Sequence, residues 1–99
     1  MGFWGLLNRK KRKKVQDLAY GNAIENAISI QGVPNHVAGV LAEYQYLSQK
    51  FGRRGVDWEV GGQTLLQVGR RRYDKMDIIV SDGTHEVVIF DITEFFGKR

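Results

Sequence analysis

The stretch from Tyr73 to Thr93 reads YDKMDIIVSDGTHEVVIFDIT, and the fold turns on it. Two runs rich in β-branched and aromatic residues, 73–80 and 86–93, flank Ser81-Asp82-Gly83-Thr84. β-branched side chains favour extended backbone, and Asp-Gly supplies positive φ angles. The stretch therefore predicts an antiparallel hairpin closed by a two-residue type I′ turn on Asp82-Gly83. Counting back from that turn sets Ile78 against Val87, Met76 against Ile89, Asp74 against Asp91 and Arg72 against Thr93. Carboxylates facing each other on neighbouring strands repel unless an arginine, a bound cation or a shared proton compensates, and Arg72 is placed to do so.

Moving outward, Trp58–Val60 and Thr64–Val68 read as strands around Gly61-Gly62, a turn or a bulge. Upstream the period becomes helical. Asn35 is a good N-cap for a helix to about Phe51, and Val37, Val40, Leu41, Tyr44, Leu47 and Phe51 form the stripe expected to be buried. Tyr46 points away from it. Earlier still, Val15, Leu18, Ala19, Ala23, Ile24, Ala27 and Ile28 recur every three or four residues. They predict a helix from Val15 to about Ile30, stopped by Gly32 and Pro34. A short link between two helices suits an antiparallel pair. At the other end, Phe95 and Phe96 are expected to pin the last strand to the core. The predicted fold is α+β: an N-terminal helical hairpin packed on one face of a three- to four-stranded antiparallel sheet. Its opposite face and its outer edges would be open.

Charge divides the chain in two. Arg9, Lys10, Lys11, Arg12, Lys13 and Lys14 supply six of the 15 basic residues; the remainder holds nine basic against 11 acidic ones. We therefore read residues 1–14 as a basic amphipathic arm and residues 15–99 as a single domain, a size that allows one hydrophobic core. Trp4 with the basic run is expected to bind an anionic surface, either a membrane or a nucleic acid, through residues 3–14. Folding back of Phe3, Trp4 and Leu7 onto the domain is the plain alternative.

With no cysteine, disulfides, thiol catalysis and cysteine-ligated zinc are excluded, which fits a cytoplasmic protein. No apolar run reaches the roughly 20 residues a bilayer requires. A secretory signal is not expected, because the apolar tip precedes the positive charge, and Leu6 stands where an acylation signal beginning at Gly2 needs Ser or Thr. The expected location is the cytoplasm, with peripheral contact at a membrane allowed.

Chemistry-bearing patterns are sparse. His36 and His85 follow a helix cap and a turn, positions that usually face solvent, and no nucleophile signature surrounds Ser29, Ser48 or Ser81. The glycines assemble no phosphate loop, and no cofactor is expected. Arg53, Arg54, Arg70, Arg71 and Arg72 flank one strand region and are candidate phosphate contacts, set against their role as solvated turn residues paired with Asp57, Glu59 and Asp74. With Glu25 upstream, the stretch 73–93 also resembles the PD-(D/E)xK nuclease core. That resemblance implies a divalent metal, magnesium by its oxygen ligands, held by Asp74 or Asp77 and by Asp91. The triplet reads Asp91-Ile92-Thr93, so threonine stands where that family carries lysine.

The expected function is non-catalytic: an adaptor or small subunit that binds a protein partner through its sheet, or forms homo-oligomers, while the arm engages an anionic surface. Nucleic-acid binding through the arm and the five arginines is the second reading. A degenerate PD-(D/E)xK-like nuclease is the third.

Overall fold

The computed structural model of the chain describes residues 24–99. Trp4, the basic run 9–14 and most of the expected first helix lie outside the described residues. Within them the order is β1 (Ile28–Ser29), α1 (His36–Phe51), β2 (Trp58–Val68), β3 (Arg71–Val80) and β4 (His85–Asp91). The sheet runs β1-β4-β3-β2, with β1 parallel to β4 and the other pairs antiparallel.

The described residues thus form a mixed four-stranded sheet carrying one helix, which corrects the expected helical hairpin on an antiparallel sheet. Ile28 and Ser29, read as the end of a first helix, are a strand paired with Phe90 and Asp91. The sequence Ile28-Ser29-Ile30 alternates with period two as well as fitting a helical face. The open edge of β4 decides between them by accepting the Ile30 N–H at the Asp91 carbonyl, 3.2 Å away.

Helix α1 starts and stops as its local signals require. The Asn35 side chain accepts from the Ala38 N–H at 2.9 Å, a cap that contributes about 1 kcal/mol. Gly52, with φ of 109°, closes the other end by donating to the Ser48 carbonyl at 3.0 Å. The rotation of the helix differs from expectation. Its buried residues are Gly39, Glu43 and Leu47, whereas Val37 is 70% and Leu41 60% exposed. Tyr46, expected to point away, packs edge-on against Phe90 with centroids 5.6 Å apart.

The β3–β4 connection also differs by one residue. Val80 donates to the Thr84 carbonyl at 2.9 Å and Gly83 donates back to Val80 at 2.8 Å, leaving a three-residue loop with Gly83 at φ 88°. A three-residue loop ending on a left-handed glycine satisfies the same Asp-Gly signal as a two-residue turn. The register becomes Ile78 with Glu86, Met76 with Val88, Asp74 with Phe90 and Tyr73 with Asp91. Because side chains alternate, a slip of one moves a residue to the other face of the sheet. Asp74 and Asp91 therefore lie on opposite faces and do not meet.

β2 is one strand, and Gly61-Gly62 is a bulge within it: Val60 pairs with Ile78, Gly62 with Asp77, and Gly61 is left over. The core lies between α1 and the sheet, built on Leu47, Trp58, Met76, Ile78, Phe90 and Phe95. On the opposite face Tyr73 and Ile89 are buried too, so the expectation of an open second face fails at its centre. No helix among the described residues is long and apolar enough to cross a membrane.

Candidate functional site

The bulge in β2 shifts the strand's alternation by one, which turns Gln63 and Leu65 toward α1. Gln63 then sits on the same face as Asp74, and its Nε2 donates to both carboxyl oxygens of Asp74, at 3.0 and 2.9 Å. Asp74 is buried in mid-β3, and above it α1 lowers Glu43 into the same recess. Glu43 is 1% exposed, and its oxygens meet no N–H or hydroxyl donor, only the neighbouring Asp74 carboxyl. Burial pushes its pKa up to about 9, helped by hydrogen bonding with the neighbouring Asp74 carboxyl and by the charge there. At neutral pH Glu43 therefore keeps its proton. Glu43 is thus the neutral member of the two neighbouring acids.

His36, at the first turn of α1, completes the polar lining. Its Nδ1 is buried without a partner, and its ring meets Phe95 and Phe96 edge-on at 5.5 and 6.2 Å. The recess is half open to solvent and offers about 190 Å³. Val40, Ile92 and Phe95 supply apolar walls, and Leu65 (52% exposed) and Phe96 stand at its mouth. No three acidic or histidine side chains among the described residues are grouped so as to hold one metal ion.

The residues singled out from sequence are dispersed. Asp91 lies on the far face, in contact with the Arg71 guanidinium and accepting from the Thr93 N–H at 3.0 Å and hydroxyl at 2.6 Å. Burial would raise its pKa, but the bonds from Thr93 and Arg71 outweigh that and hold it below the ordinary carboxylate range. Its arginine is thus Arg71, not the expected Arg72. Asp77 also faces away from α1, 2.9 Å from His85 Nδ1. His85 therefore has a carboxylate partner that no helical spacing revealed. The paired-acid site implied by the nuclease resemblance is not assembled, because the register separates its members.

The five arginines do not converge. Arg53 and Arg54 precede β2 and Arg70–Arg72 follow it, so about 30 Å of strand separates the groups. Arg53 caps back to Asp57, with its backbone N–H 2.7 Å from the carboxylate, and Arg54 stacks on Tyr44 at 4.3 Å. Arg72 stacks on Phe96 at 5.1 Å. Arg71 and Arg72, adjacent in a strand, point to opposite faces.

Sequence reasoning missed Glu43 and Gln63. A glutamate in mid-helix is normally exposed, and the only local hint was Gly39, one turn earlier, a residue that costs about 1 kcal/mol in a helix interior. Nothing local marked Gln63, since its orientation depends on the bulge. No family model, curated protein or solved structure gives a significant match to the chain.

Proposed function

We propose that this chain is a protein-binding module that takes an extended segment of its partner as an additional strand along β2, while its basic N-terminal run steers it to an anionic surface. The open edge of β2 is the observation that carries this reading. β2 is the last strand of the sheet, 11 residues long, with Glu59 as its single charged residue. Arg54 meets its first residue, Trp58; beyond that point no described strand pairs with its outer side. Long, weakly charged edges present unsatisfied N–H and C=O groups, which an added strand satisfies, with side-chain pockets giving selectivity. The second face of the sheet is a poorer candidate, since its centre is already buried.

Peptides selected from a random library against the whole chain should bind in extended form. Hydrogen exchange should then slow at alternate amides of 58–68, those whose N–H points away from β3. Thr64→Glu with Val68→Glu should weaken those peptides by about tenfold or more without unfolding the chain, because each new acid faces a base, Lys75 or Arg71, across β3. Protection falling instead on the outer row of α1, at Val37 and Leu41, or recovery of no binder, overturns the reading.

The arm is tested separately. Each basic residue contributes about 1 kcal/mol at an anionic surface, so deleting residues 1–14 should weaken binding to phosphatidylserine-containing vesicles or to DNA by about tenfold or more. Binding by the full chain should fall steeply with salt. A truncated chain that fails to fold would make the arm part of the core and overturn the division at residue 14.

A further inference from the structure

The recess under α1 is built like a site that awaits a charge. A buried carboxyl with no partner is costly, and an apolar side chain of the same volume at position 43 would remove the cost. Glu43 nevertheless stands there, its oxygens meeting no N–H or hydroxyl donor and only the Asp74 carboxyl beside them, facing a recess of about 190 Å³. His36 Nδ1 is a further unpaired atom in the lining, and the remaining walls are apolar or aromatic.

We propose that the recess receives the guanidinium group of an arginine-like ligand, with Glu43 and Asp74 accepting its N–H donors and Phe95 and Phe96 flanking its stem. With the Gln63 amide already committed to Asp74, a Glu43 that has given up its proton leaves the carboxylates offering acceptors, so the ligand must bring the donors. Acceptor oxygens also suit a metal ion, but no three acids or histidines among the described residues are grouped around one. An ammonium presents three donors at one point, whereas a guanidinium spreads five over a planar fork that reaches separated acceptors and stacks on aromatic rings. A cavity of about 150 Å³ accommodates benzene, so an alkylguanidinium fits here.

Binding is coupled to a proton. Glu43 gives its proton to solvent as the guanidinium enters, and the resulting carboxylate pairs with the cation. The groups facing Glu43 are Asp74 from β3, Gln63 from β2 and His36 from its own helix. Arg72, next on the same face of β3, is turned onto Phe96 and leaves the recess to the ligand. The guanidinium has two possible sources, a free small molecule or an arginine of a strand laid along β2. Only the second rests on the edge reading, because Gln63 and Leu65 belong to both the edge strand and the recess.

Ethylguanidinium titrated into the full chain should bind saturably and release close to one proton per ligand near pH 7, measured calorimetrically in buffers of different ionisation enthalpy. Ethylurea, its uncharged analogue, should bind about tenfold or more weakly, and so should ethylguanidinium to Glu43→Gln, a variant expected to fold at least as well as the parent. Equal binding of ethylurea, binding without proton release, full retention in Glu43→Gln, or paramagnetic broadening at the recess by Mn²⁺ with no response to ethylguanidinium overturns the proposal. An edge peptide with arginine replaced by citrulline separates the sources. If ethylguanidinium binds but this swap changes nothing, the pocket stands and the ligand is a free small molecule.

Discussion

Raising the pH from about 5 to about 9 should strip stability from this protein, and Glu43→Gln should abolish most of that loss. The sign follows from the proton balance. The Glu43 pKa rises from 4.5 in an open chain to about 9 in the fold, so between those values the folded state holds a proton that the unfolded state has released. Stability falls across that window by up to about 1.4 kcal/mol per pH unit, or about 3 kcal/mol by pH 7. That is a large share of the roughly 5 to 15 kcal/mol that holds a typical domain together. Glutamine mimics the protonated acid in shape and cannot ionise. Urea midpoints of the two proteins should coincide near pH 4.5 and separate as the pH rises, the variant being the more stable. Asp91 acts in the opposite direction, its depressed pKa giving stability that is lost as acid protonates it, but it is common to both proteins and cancels from their difference. Parallel curves for the two proteins would mean that Glu43 is hydrated and already ionised at neutral pH.

Gly39→Ala should destabilise the fold although alanine is the better helix former. Helix propensity alone predicts a gain of about 1 kcal/mol. A Cβ at position 39, however, would lie 2.5 Å from three atoms of the Phe95 ring, which is itself only 1% exposed. Overpacking of this kind costs about 1 to 3 kcal/mol, enough to reverse the sign. In a Phe95→Leu background the clash is relieved, so Gly39→Ala should become neutral or stabilising, a coupling that a four-protein urea denaturation cycle reads directly. If the two substitutions add without coupling, the ring does not press on the helix as described. The contact has a further consequence, because the side of α1 with no side chain at position 39 is the side that can approach Phe95. That approach sets the helix rotation and brings Glu43, one turn on, over Asp74.

Features settled over a few neighbouring residues are legible from the amino-acid order alone. Asn35 and Gly52 bound α1 because caps satisfy backbone groups within one turn. The strands β3 and β4 and the turn between them follow from β-branched runs around Asp-Gly. The concentration of basic charge before residue 15 is equally plain in the sequence. Phase and register, by contrast, depend on long-range contacts. Ile28-Ser29 fits a helix or a strand until the edge of β4 pairs with it. Asp82-Gly83 fits a two- or a three-residue loop, and that single residue separates Asp74 from Asp91. Of the expected apolar stripe Leu47 is buried and Tyr44 and Phe51 pack on the core, but Val37 and Leu41 give way to Gly39 and Glu43 because Phe95, far along the chain, presses where no Cβ stands. In each case competing local arrangements are close in energy, and contacts between residues distant in sequence tip the balance. The pair Glu43 and Asp74, joined by a bulge, a register and a helix rotation, could therefore come into view only in three dimensions.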